Sequence, residues 1–240
     1  MNEPRLPGGD TPPKAMGIKT IVIDPGHGGW DHGTVSASGV MEKDLVLSIS
    51  KALAKKLSRA FKAKVILTRT RDIYVPLPKR RAIAEEAKAD IFLSIHANSS
   101  PKSHIRGIEV YYLSEMPSDE EAGKTAEAEN RAGTEDSGDL TDLTKTLLDL
   151  VQTGQMEGSR LFSEKIASGL EFVGKERMRG IKHANFYVLA GAEMPAVLLE
   201  VGYLSNKDEA RLFRLKEAQE DICNGLVRGV KDFQDVWRRS

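Results

Sequence analysis

Short apolar runs that read as buried strands alternate along this chain with stretches whose apolar residues recur every three or four positions. That alternation points to the α/β class. Residues 20–24, 65–68, 90–96, 107–113, 186–190 and 196–201 are predicted strands. Residues 43–60 carry Val46, Ile49, Leu53 and Leu57 at helical spacing, and 77–88 place Ile83, Ala84 and Ala87 inward. Further helices are predicted over 143–152, 159–173 and 216–234, and Asn206 with Glu209 has the form of a capping box. The expected architecture is a three-layer sandwich: a mostly parallel mixed sheet of about six strands flanked by helices.

In such sheets, sites gather at the carboxyl ends of strands. Asp24-Pro25-Gly26-His27-Gly28-Gly29, Ser94-Ile95-His96-Ala97-Asn98 and Leu199-Glu200-Val201-Gly202 each close an apolar run, and Met41-Glu42-Lys43-Asp44 opens a helix. Taken singly, each has a bland reading: a glycine loop, a histidine satisfied at a strand end, a carboxylate paired with arginine, a solvated helix start. Together they supply three nitrogen or oxygen ligands and one free carboxylate. That is the inventory of a catalytic zinc with an open position for water and a base beside it.

The 240 residues suit one medium domain. Equal numbers of basic and acidic residues, 35 of each, give no support for nucleic acid or an anionic membrane as the main partner. With one cysteine, Cys223, no internal disulfide and no cysteine-rich metal site can form. No apolar run approaches the roughly 18 residues of a membrane span. Residues 1–17, rich in proline, glycine and charge, read as a flexible leader or linker without the apolar core of a signal peptide. The domain is expected over 18–240, with a polar, charged insertion at 114–140 that has room for a helix from Glu120 to Ala132.

These motifs, in order with Leu67-Thr68-Arg69, Arg80-Arg81, Gly107-Ile108-Glu109 and Met194-Pro195-Ala196, resemble the zinc-dependent N-acetylmuramoyl-L-alanine amidases. The likeness runs from Lys19 to Phe233. Tyr203, where phenylalanine is commoner, and His183, where glutamine is usual, are departures. The resemblance implies one zinc ion per chain held by His27, Glu42 and His96, with Glu200 as the catalytic base. It implies hydrolysis of the amide between N-acetylmuramic acid and L-alanine in peptidoglycan, for wall remodelling or daughter-cell separation, in the periplasm or cell envelope. Asn98 and His183 are candidates for substrate contact or for support of the site. His32 and His104, in polar loops, are given no role, and Arg69 and Arg80 read as structural ion-pair partners.

Division-associated members of that family carry an insertion whose helix covers the zinc. The string Ala128-Glu129-Asn130-Arg131-Ala132 resembles that helix, which makes Glu129 the first candidate for a carboxylate blocking the metal, and Glu127 the second. An activator protein would then displace it. Two other readings compete. A zinc peptidase acting at a carboxyl terminus would need an arginine for that terminus, and no segment signals one. A non-catalytic wall-binding module would not need Glu200.

Overall fold

The computed structural model describes residues 17–131, 153–174 and 177–237. The predicted helix over 143–152 and nearly all of the predicted leader lie outside the described residues. Six strands form one sheet: β1 (Thr20–Pro25), β2 (Lys64–Leu67), β3 (Ile91–Asn98), β4 (Ile108–Leu113), β5 (Met178–Ala184) and β6 (Ala196–Tyr203). Their order is β2-β1-β3-β6-β4-β5. All neighbours pair in parallel except β4 with β6. The helices are α1 (Glu42–Phe61), α2 (Leu77–Glu86), α3 (Glu120–Arg131), α4 (Thr153–Leu170), α5 (Lys207–Leu212) and α6 (Lys216–Trp237).

Side chains alternate across a strand, so every second residue shares a face. Ile21 and Ile23, Leu93 and Ile95, and Val197 and Leu199 belong to one core cluster with the apolar stripes of α1, α4 and α6. Val22, Phe92, Leu198 and Tyr111 belong to the other, with Ala84 of α2 and Ala122 and Ala126 of α3. The expected three layers follow. The alternation also decides where chemistry can sit: His96, Glu200 and Glu109 fall on the α2/α3 face, opposite the larger apolar cluster. These three occupy neighbouring strands at one level, since His96 pairs with Glu200 and Glu200 with Glu109.

One predicted strand is wrong. Residues 186–190 form turns, closed by Leu189 N donating to Phe186 O and Ala190 N donating to Tyr187 O. Phe186, Val188, Leu189 and Ala190 are buried against the second cluster all the same, so the apolar run marks burial and not extension. The sixth strand is β5, eight residues earlier at its start. It lies at the sheet edge, where a strand needs no continuous apolar run. The capping box is half formed. The Asn206 side chain accepts from the amides of Asp208 and Glu209, while Glu209 turns away to accept from Tyr203 N and Gly107 N.

Helices α4 and α6 touch backbone to backbone through Gly169, Gly225 and Gly229; a Cβ on Gly229 would collide with the backbone of Lys165 and Ile166. Intrinsic helix propensity favours Gly229→Ala by about 1 kcal/mol. Forcing the helices apart should cost about 1–3 kcal/mol. A lower melting temperature is therefore expected in thermal denaturation, and a rise would contradict this packing.

Candidate metal centre

The exit from β1 carries the first site residue. Asp24 is fully buried and accepts from Thr68 Oγ1 (2.5 Å), Ser94 Oγ (2.8 Å) and Arg80 Nη1 (3.0 Å). Burial would raise its pKa, but the Arg80 charge and the hydroxyl donors hold it below the usual carboxylate range. Arg80 then donates to the carbonyls of Val75, Pro25 and His27, and Arg69 to those of Pro25, Gly26 and Lys43. Arg80 is thus the expected ion-pair partner, whereas Arg69 works through carbonyl oxygens. Together they hold His27 at φ 57°, a left-handed conformation that a residue with a side chain seldom adopts. Gly26 is required here because a Cβ would strike the His96 ring.

His27 Nδ1 lies 2.8 Å from Asp31 Oδ2, which leaves Nε2 facing inward. There it meets Glu42 Oε1 at 3.0 Å and Glu129 Oε2 at 3.3 Å. His96 Nδ1 meets the same oxygens, at 3.2 Å and 2.9 Å respectively. Glu42, at the first turn of α1, is fixed by Thr34 N donating to Oε2 and Ala97 N donating to Oε1. The donor atoms of His27, Glu42, His96 and Glu129 all lie within 4.8 Å of one another.

The chemistry of this donor set fits a metal ion. Four atoms placed tetrahedrally at zinc's 2.0–2.2 Å bond lengths would stand roughly 3.4 Å apart, close to the separations found here. His27 Nε2 is buried without a well-aligned hydrogen-bond partner among the described residues. Two carboxylates and two imidazoles in a buried space also call for positive charge. Burial would lower the pKa of each histidine, but Glu42 and Glu129 outweigh it. They hold His27 well above its ordinary value and raise His96 to about 10. Burial would raise Glu42, yet the facing histidines bring it down to about 2; Glu129 is also lowered, chiefly by His96 and His27. A bound cation would supply the charge that these shifts ask of protons.

Glu200, next to His96 in the sheet, is fully buried, and neither of its oxygens has a hydrogen-bond partner among the described residues. Burial, then repulsion from Glu129, Glu42 and Glu109, pushes its pKa well above the ordinary value, with His96 opposing. A carboxyl of this kind holds and releases a proton nearer neutrality than a solvated one.

The other expected residues divide. Glu127 faces solvent and pairs with Arg131, so it does not reach the centre; the correction is one of helical phase. Asn98 Nδ2 is 3.4 Å from both Glu109 Oε2 and Thr125 Oγ1, and its Oδ1 accepts from Ser99 N. His183 lies within β5, not before a strand, and its Nδ1 contacts Met116 O at 2.9 Å, away from the four donors. His32 and His104 are exposed, and Cys223 is a buried core residue. Asp31 was missed, although the spacing of a histidine and an aspartate four residues on is a usable signal for an orienting partner.

A family model described as N-acetylmuramoyl-L-alanine amidase matches residues 21–232. The chain is 32% identical over 237 residues to the N-acetylmuramoyl-L-alanine amidase AmiC of Escherichia coli O6:H1, a match covering 96% of this chain and 57% of that protein. The chain thus spans little more than half the length of that relative. The catalytic domain of CwlV, an N-acetylmuramoyl-L-alanine amidase from Bacillus (Paenibacillus) polymyxa var. colistinus, superposes with a TM-score of 0.70 at 30% identity, covering 91% of this chain and 99% of that one. The CwlD amidase of Clostridioides difficile, solved in complex with the GerS lipoprotein, superposes with a TM-score of 0.69 at 25% identity, covering 91% and 99%.

Asp31→Asn keeps the shape beside His27 but removes the charge that orients its ring. Affinity for a divalent metal should fall by about 10–100-fold in competition with a chromogenic chelator. Unchanged affinity would show that Asp31 does not support the centre.

Proposed function

This chain belongs to the N-acetylmuramoyl-L-alanine amidase family, and we propose that it hydrolyses the amide between N-acetylmuramic acid and L-alanine in peptidoglycan with one zinc ion per chain. The observation that carries the reading is the row of His96 and Glu200 on adjacent strands, with His27 and Glu42 converging on His96. His27, Glu42 and His96 would hold the ion. When bound, zinc supplies a Lewis acid for the scissile carbonyl and brings the pKa of water down to roughly 7.

Glu200 takes the proton of the attacking water. As the C–N bond breaks, it passes that proton to the departing amine of L-alanine, leaving a carboxylic acid on the lactyl group and a free stem peptide. Burial suits it to both steps, because its raised pKa makes it a better base than an exposed glutamate and a ready acid afterwards. The same residue argues against a module that only binds the wall, where a buried carboxyl without a partner would cost stability for no return.

In this reading, α3 closes the site at rest. Glu129 stands 2.9 Å from His96 Nδ1 and 3.3 Å from His27 Nε2, among the residues that would hold the ion. The cavity lined by His27, His96, Glu129 and Phe186 measures ≈ 20 Å³, about the room for one water and far too little for a muramyl peptide. Helix α3 is pinned at its far end, where Asn130 Nδ2 donates to Asn185 O and Asn130 Oδ1 accepts from Tyr187 N. Shifting such a helix from about 1% to 99% open needs roughly 5.5 kcal/mol of differential binding. A protein activator can supply that, and the CwlD amidase shows that one relative is held by a partner protein. No described helix is long and apolar enough to cross a membrane. The reading places the chain's work at the periplasmic or envelope wall.

Mass spectrometry of products released from purified sacculi tests this directly. Stem peptides with a free L-alanine amine, beside unbroken glycan and lost on chelation, are expected. Glu200→Ala should lower the rate by about 10²–10⁴-fold while peptidoglycan binding persists. Glu129→Ala should raise basal activity by at least about 10-fold, in line with a blocked fraction of the size above. Cleaved glycan, or release that survives chelation, would refute the amidase; unchanged basal activity in Glu129→Ala would refute the block.

A further inference from the structure

Arg179 and Lys182 of β5 converge on a carboxylate that already has other donors. Glu109, fully buried on β4, accepts at Oε1 from Arg179 Nε (2.8 Å) and pairs there with Lys182 Nζ (2.9 Å). Its Oε2 accepts from the hydroxyls of Tyr111 and Tyr203, each at 2.9 Å. The remaining reach of both cations goes to α3 and the residue before it. Arg179 Nη2 lies 2.7 Å from Glu121 Oε2, and Lys182 Nζ lies 3.4 Å from Asp119 Oδ2 and 3.5 Å from Glu121 Oε2. The register of β4 against β5 skips at Arg179, from Ile108 with Met178 to Glu109 with Gly180. A bulge of this kind re-aims a side chain, and here it turns Arg179 onto the face that carries Glu109 and Glu200.

We propose that Arg179 and Lys182 form a carboxylate-binding subsite for the peptide portion of the substrate, filled at rest by Asp119 and Glu121. This rests on the amidase reading and on the displacement of α3. With α3 docked, three carboxylates face the two cations. With α3 lifted, Glu109 alone remains among the described carboxylates paired with them, which leaves one positive charge of the pair unmatched there. Charge-assisted hydrogen bonds to a carboxylate are the strongest use of such a pair. The position suits a peptide. Gly180, Glu109 and Glu200 lie at one level on successive strands, so β5 stands roughly 10 Å from the base at about 4.8 Å per strand. An extended peptide covers that distance in about three residues. A side-chain carboxylate on an acidic stem peptide, two or three residues from the scissile amide, therefore falls within reach. Helix α3 then blocks two places at once: the metal with Glu129 and the anion subsite with Glu121.

The test is calorimetric titration of the full chain carrying Glu129→Ala, and separately of one carrying Asp119→Ala with Glu121→Ala. Three N-acylated L-alanyl tripeptides serve as probes: one with free side-chain and terminal carboxylates, one with only the side chain amidated, and one with only the terminus amidated. Side-chain amidation should weaken binding at least about 10-fold, as expected for a lost charged hydrogen bond. Adding Arg179→Gln or Lys182→Met should erase that preference while leaving affinity for the side-chain amide unchanged. Should one of these fail to fold, the other carries the same comparison. Equal affinities for all three peptides, a preference that follows the terminal carboxylate, equal weakening of all three by the substitutions, or no binding to either opened chain would each overturn the subsite. Hydrolysis is not read in this experiment. A failure of the amidase in the sacculus assay therefore leaves the preference intact, and a failure of the subsite leaves the amidase intact.

Discussion

Burying carboxylates around one end of a sheet is the constraint that organises this molecule. Asp24, Glu42, Glu109 and Glu200 are fully or almost fully buried, and Glu129 joins them from α3. Each such charge costs several kcal/mol in lost hydration unless a partner is held against it. Asp24 has Arg80, and Glu109 has Arg179 and Lys182. Glu42 and Glu129 share two imidazoles, whose own pKa values rise in response. Glu200 has no hydrogen-bond partner among the described residues. Stability alone would not favour it there, whereas a raised pKa suits it to proton transfer. The four-donor cluster likewise makes sense once a cation is allowed into it.

The same electrostatics hold α3 against the sheet. Its apolar contact is slight, two buried alanines, Ala122 and Ala126. What holds it down is polar and specific: Glu129 on the two histidines, Glu121 on Arg179, and Asn130 on the backbone of the 185–187 turn. A helix held by charge and hydrogen bonds can be released by a competitor of the same chemistry, whereas one held by a large apolar face cannot leave without exposing it. Helix α3 and the donor cluster beside it therefore share one set of interactions.

Much of this was legible in the sequence, and for physical reasons. β1, β3 and β6 are buried on both faces, so they appear as continuous apolar runs ending at His27, His96 and Glu200. Edge strand β5 left no such mark, because its residues divide between solvent and the charged network; the neighbouring run Phe186 to Ala190 was apolar for burial in turns. Glu129 and Glu127 are two residues apart and so point to different sides of a helix. Once Ala122 and Ala126 define the inward stripe, Glu129, at seven and three residues from them, shares it and Glu127 does not. Asp31, four residues from His27, was legible in its spacing, whereas Arg179 and Lys182 have partners that only the topology assembles. Glu109 and Glu121 come from other segments, and no local pattern announces them.

In the proposed function, Glu129 closes the metal centre from α3. A crystal structure of the zinc-loaded chain, without activator, tests it most directly. One ion bound by His27, Glu42, His96 and a Glu129 oxygen is expected, with Glu200 beside it and not coordinated. Zinc bound by the first three with solvent in the fourth position, and α3 lifted away in the isolated chain, would rule out closure by Glu129.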